Sequence, residues 1–225
     1  MNRDRSLLVP VVLAVGAAGC ISMAQGVGPI PVPGGGEGIH AALAAGGGPG
    51  RGTVQAAVGA ALPAADWFAA DVTILVNGVY QSGNDGLRAK QDLTVNWGLW
   101  PLLSGIFYMG PVDLRISVFG IGGGGPEGPG GYMGHASGTL GLRIDEVHAL
   151  WAGFSAQAVF GCCNGEYDGV SYQVPVGLVF ERVVLGGGWD LAFALEALWS
   201  RETIDGRAAD GISLLLHVLT DWVES

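Results

Sequence analysis

Along most of this chain, apolar and polar residues alternate with a period of two. The sharpest case runs from Trp189 to Trp199. Trp189, Leu191, Phe193, Leu195, Ala197 and Trp199 share one parity, and Asp190, Ala192, Ala194, Glu196 and Leu198 share the other. Successive side chains of a strand point to opposite faces, so this stretch is read as a strand with one apolar face and a carboxylate at mid-strand on the reverse. About ten residues at about 3.3 Å each, tilted by roughly 45°, rise about 23–25 Å, the height of the apolar band between the aromatic girdles of a membrane barrel.

Ten segments of this kind are expected between turn signals: Ile39–Ala45, Thr53–Leu62, Trp67–Asn77, Leu87–Trp100, Val112–Ile121, Tyr132–Ile144, Val147–Phe160, Ser171–Glu181, Trp189–Trp199 and Gly211–Trp222. In the last of them Ile212, Leu214, Leu216, Val218 and Trp222 oppose Ser213, His217 and Asp221. Trp151 is an exception, an aromatic residue on the polar parity of its segment. The connections alternate in character. Residues 46–52, 78–86, 122–131, 161–169 and 201–210 are polar or glycine-rich, whereas 63–66 and 145–146 are tight, and 101–110 and 182–188 are looser turns. Longer loops on one side and shorter turns on the other, with an even number of strands, predict an all-β fold: a closed antiparallel up-and-down transmembrane β-barrel of about ten strands.

Composition supports a lipid-facing surface more than a water-facing one. Charged residues are 13% of the chain, and glycine takes the vacated share with 41 residues; soluble domains carry roughly 25% charge. A formal charge of −10 excludes binding to nucleic acid by charge. Ahead of the barrel, Met1 to Arg5 forms a short basic region and Leu7 to Ala18 an apolar one, the layout of a secretory signal, too short to cross a bilayer. Two processing sites fit. Ala17-Ala18-Gly19-Cys20 resembles a lipoprotein signal box with Cys20 as the lipidated residue, and Ser22-Met23-Ala24 offers cleavage after Ala24. Residues 1–20 are thus assigned to the signal, 21–38 to a Gly/Pro tether and 39–225 to the barrel.

The signal, the ten alternating segments and the aromatic ends Trp67, Trp97, Trp100, Trp189, Trp199 and Trp222 resemble a small bacterial outer-membrane β-barrel protein of the OmpA/OmpX architecture. The resemblance is one of pattern over residues 39–222. It implies location in the bacterial outer membrane, with lipid as partner, an aromatic girdle at Trp97, Trp189, Trp199 and Trp222, and outer loops available to a surface ligand or partner protein. One departure is that the chain ends Trp222-Val-Glu-Ser225 without a terminal aromatic residue.

The candidate chemistry lies on the inward parity. Asp71, Arg88, Lys90, Asp92, Asp113, Arg115, Arg143, Glu181, Asp190 and Glu196 are all expected to point into a narrow lumen, where charges must pair or neutralise. With neighbouring strands paired through minimal loops, Asp71 and Asp92 lie within reach of Arg115 and Lys90, and Glu196 approaches His217. Asp71, Lys90, Asp92, Arg115, Arg143, Glu196 and His217 are therefore read as a structural network plugging the lumen. No catalytic residue, metal ligand or cofactor is assigned. No Ser/His/Asp grouping forms near the outer loops. Cys162 and Cys163 lack zinc-site spacing, the glycine runs lack a following G-K-[ST], and the acidic loops lack calcium-loop spacing. Three rival readings are a narrow channel for small solutes or ions, a rim hydrolase or acyltransferase, and a soluble β-sandwich.

Overall fold

The computed structural model describes residues 38–48, 51–81, 94–125, 128–162, 167–204 and 207–222. The expected signal and most of the tether, with Cys20 and Ala24, lie outside the described residues, as do Arg88, Lys90, Asp92 and Cys163. Ten strands follow in chain order: β1 (Gly38–Gly48), β2 (Arg51–Ala65), β3 (Phe68–Gln81), β4 (Thr94–Met109), β5 (Val112–Gly125), β6 (Gly128–Arg143), β7 (Ala149–Cys162), β8 (Tyr167–Gly186), β9 (Trp189–Ile204) and β10 (Arg207–Trp222). Each pairs antiparallel with its neighbours in sequence, and β1 pairs with β10, so the sheet closes.

The sidedness follows the alternation. On β10, Leu215 is 0% exposed while Leu214 and Leu216 on either side are 55% and 50% exposed. Exposed large apolar residues recur on every described stretch of wall, among them Leu43, Val58, Ile74, Leu103, Ile116, Leu140, Phe154, Val176 and Leu195. A belt of this extent has no stable place in water, and it suits a hydrocarbon solvent that strands can cross only as a closed sheet with its backbone groups paired. A soluble sandwich would turn Leu216 into a shared core, and the exposure of that residue removes this rival. The result is the architecture of bacterial outer-membrane barrels.

Both terminal strands end at the rim that carries the tight turns. Gly187 and Gly188 form one of these, with φ of 64° and 84°, the left-handed pair that a two-residue hairpin requires and that costs glycine least. Following cross-strand partners once round the barrel displaces the row by about twelve residues along the strand, which for ten strands means a tilt of about 40° and a wall radius of roughly 10 Å. An interior that narrow can be filled by side chains.

Several boundaries differ from the sequence reading. Gly38, assigned to the tether, begins β1. Residues 101–110, read as a looser turn, belong mostly to β4, which runs through Pro101 to Met109 and turns at Gly110-Pro111. Residues 182–186 likewise continue β8. The connections read as 122–131 and 201–210 are largely strand, so the hairpins reach further than the turn residues suggested.

Candidate functional site: the lumen

Two carboxylates organise the interior, each reached by an aromatic ring that crosses a glycine. Asp71 on β3 is 1% exposed. Its Oδ1 lies 2.6 Å from Nε2 of His40 on β1, and its Oδ2 accepts from the Thr73 hydroxyl at 2.9 Å and from Nη2 of Arg115 on β5. Between β1 and β3 stands Gly59 of β2, the direct partner of both His40 and Thr73. A Cβ at Gly59 would run into the imidazole and the Thr73 hydroxyl. Both oxygens of this carboxylate are engaged, and Arg115 also reaches Thr73 at 3.3 Å. Burying a carboxylate is tolerable when both of its oxygens exchange water for close hydrogen-bonding partners, one of them a cation.

The second carboxylate, Glu196 on β9, is also 1% exposed. Trp151 on β7 donates its indole N–H to Oε2 at 3.1 Å, and Gly177 of β8, paired with both Trp151 and Glu196, leaves the space the ring occupies. His217 on β10 meets the indole edge-on, with centroids 5.9 Å apart. Its Nε2 is 3.7 Å from Oε2 of Glu196, beyond hydrogen-bond range. The parity exception at Trp151 is thereby explained: the ring faces inward because its N–H has a buried acceptor there. Around this cluster the interior is apolar, with Ala42, Ala149, Val179, Ala192, Ala194 and Leu219.

Above and between these clusters runs a row of small polar side chains. Ser104, Ser117, Ser137 and Ser155 are direct partners on four consecutive strands, and the row continues through Gln173 and Ser200. Ser104 and Ser117 share a 2.8 Å bond, and Ser155 donates to Gln173 at 3.4 Å. All six are buried. Hydroxyls can both donate and accept, so neighbours in such a row can pair across the sheet, as these two pairs do.

The structure treats the sequence-derived network unevenly. Asp71 with Arg115, and Glu196 near His217, are brought together, whereas Lys90 and Asp92 lie outside the described residues. Arg143 is a correction. It keeps inward parity, but as the last residue of β6 it stands at the rim, where the lumen has ended, and it is exposed. Glu181 is another. A β-bulge between Val179 and Glu181 inserts one residue and swings it out of the lumen, as an extra residue on one strand must. Asp190 is half-buried and takes two bonds from Arg182, at 2.6 and 3.1 Å. Of the aromatic girdle, Trp189 and Trp199 face outward and are exposed. For Trp97 and Trp222 the strand backbone is described and the side chains lie outside the description. Sequence reasoning missed His40, whose only signal was its inward parity on a weak segment, and the two glycines that accommodate the rings. Among the described residues, no group of three or more His, Cys, Asp or Glu gathers as a metal site would.

No family model and no curated protein matches the sequence. Among solved structures, the chain is similar to an outer membrane channel from Pseudomonas putida F1, at 13% identity over 88% of this chain and 99% of that one, with a TM-score of 0.49. It is also similar to the beta domain of the Bordetella autotransporter BrkA, at 11% identity over 84% and 99% with a TM-score of 0.48. A third is the Ralstonia pickettii toluene transporter TbuX, at 8% identity over 93% and 99% with a TM-score of 0.37. At these values none of their activities passes to this chain.

Proposed function

We propose that this chain is a bacterial outer-membrane barrel that is shut along its axis and serves a structural or surface-interaction role through its loop end. The supporting observation is the burial of the inward side chains at mid-barrel: Asp71, Gln157 and Glu196 are each 1% exposed and Leu215 is 0% exposed. Residues lining an aqueous pore would be wetted. These are packed on one another, as expected of a small barrel whose interior is filled by side chains. The tight turns and both terminal strand ends then face the periplasm and the opposite rim faces outward.

Planar-bilayer recording tests this. Purified protein is expected to give no conductance steps, whereas Asp71→Ala together with Trp151→Ala, which empties both clusters, is expected to open small ones. Steady conductance from the unaltered protein would overturn the shut-barrel reading.

A further inference from the structure

β4 and β5 are joined at one end and part at the other. Their ladder climbs from Met109 opposite Val112 to Leu103 opposite Val118 and stops. Above that point β4 continues through Thr94–Leu102 paired to β3, up to Thr94 opposite Gln81. β5 continues through Phe119–Gly125 paired to β6. Each strand keeps its far neighbour, and a seam opens in the wall between them.

The sequence accounts for the seam. A proline has no N–H to lend to a ladder and is confined to edges, strand starts and bulges. All four prolines within described strands coincide with a fault. Pro63 borders a bulge, Pro129 lies in the register shift at the tip of β5–β6, and Pro175 lies in a break of β7–β8 between Val176/Ala152 and Gln173/Ser155. Pro101 stands just above the last β4–β5 pair. At Pro175 the ladder resumes within two residues. At Pro101 the facing strand reads Phe119-Gly-Ile-Gly-Gly-Gly-Gly125, which offers little side chain to pack across the gap and has the most backbone entropy to lose. Among the described residues the ladder does not resume.

Within hydrocarbon, unpaired strand edges are costly, since no water is there to satisfy their N–H and C=O groups. Something able to hydrogen-bond must meet them. We propose that the seam is a lateral portal that admits a membrane-dissolved amphiphile, a molecule with a hydrogen-bonding head and an apolar tail. Toward the bilayer, exposed Leu103 and Val118 stand at the foot of the seam, and exposed Val76 of β3 lies beside it higher up, opposite Leu99. Toward the lumen, one side presents buried Leu102 of β4 and Leu75 of β3, and the other presents His135 and Ser137 of β6. A head can answer the edge amides and the β6 wall while the tail stays among the outward apolar residues. A hydrocarbon would leave the edges unpaired, and an ion would not reach them through acyl chains. The axial seal and the lateral opening are separate features, so this proposal does not depend on the lumen being shut.

The test uses the protein in phosphatidylcholine vesicles with a fatty acid carrying a diazirine on its tail, crosslinked by light and mapped by mass spectrometry. A severalfold excess of adducts is expected on 94–103 and 118–125 over the equally lipid-exposed β9 and β10. A headless diazirine alkane should label all strands evenly. A Leu102→Cys, Phe119→Cys pair, in a background with Cys162 and Cys163 replaced by serine, places a disulfide at the next rung of the register. Oxidation should abolish the excess and reduction restore it. Even labelling by the fatty acid, an equal excess with the alkane, or an excess indifferent to the disulfide would each overturn the proposal. Should the cysteine pair fail to give the heat-sensitive gel shift of a folded barrel, amide exchange on the unaltered protein decides. Every second amide of 94–102 should exchange fast, and protection equal to that of β9 would overturn the portal.

Discussion

The wall made by β9 and β10 and the wall made by β4 and β5 obey the same alternation, and only the first closes along its whole length. From Arg207 opposite Ile204 to Trp222 opposite Trp189, every residue of β10 has a partner. On the other side of the barrel the ladder ends at Leu103 and Val118. The polar/apolar pattern is therefore sufficient to choose faces and insufficient to hold strands together. What differs is the substance at each position. β10 carries Leu214, Leu215 and Leu216, which put bulk on both faces, whereas the upper half of β5 is mostly glycine and meets a β4 interrupted by Pro101. Cross-strand side-chain pairs are the unit of sheet stability, and a strand of glycines has none to offer.

The largest effects should come from the buried inward side chains. Arg115→Ala leaves the Asp71 carboxylate buried without its cation, and the expected loss is about 3–5 kcal/mol of unfolding free energy, read from urea titration in detergent. Asp71→Asn with Arg115→Met removes both charges and should recover a large part of that loss. Gly177→Ala comes next. Its Cβ falls on the Trp151 indole, so about 1–3 kcal/mol is expected, and the cost should shrink when Trp151→Ala is added, since residues in contact are not additive.

Mending the seam should be a smaller gain. Pro101→Val with Gly122→Val and Gly124→Val supplies the missing donor and cross-strand bulk, each on a scale of about 1 kcal/mol at most. The sign of success is slower amide exchange in 94–102 with no change in β9. The smallest effect lies at the β6–β7 turn. The exposed Asp145 carboxylate accepts the backbone N–H of His148 at 2.7 Å, a ring nitrogen of His148 and the backbone N–H of Val147, which hold its pKa at about 2 against an ordinary 3.8. Since the folded value is the lower one, the ionised group stabilises the turn above the ordinary value, and that contribution is lost as pH falls through about 2. Carboxyl NMR in micelles should find the midpoint near 2, and a midpoint at the ordinary value would mean that these hydrogen bonds are absent.

The outward face was legible because lipid demands apolar side chains at every second position and tolerates little else. The pairing of Asp71 with Arg115 was legible for a related reason: inward charges two strands apart at one height have few alternatives. What escaped was whatever breaks the regular count. Pro101 reads as a strand terminator, yet an open edge tolerates it, so β4 continued where a turn was expected. Glu181 was displaced by a bulge that no local residue type announces, and Arg143 by the finite height of the barrel. His40 and Trp151 depend on Gly59 and Gly177 of neighbouring strands, and single glycines in strands have too many uses for such a role to be read from one chain.

Lipid as the solvent for the even-numbered face of β10 can be measured directly. Spin labels placed one at a time from Ile212 to Leu219, in protein reconstituted in bilayers, report collision with oxygen, which concentrates among acyl chains. Accessibility should rise and fall with a period of two, high at Ile212, Leu214 and Leu216 and low at Ser213, Leu215 and His217. A flat profile, or one with its maxima at Leu215 and His217, would contradict the barrel with an apolar exterior and a filled interior.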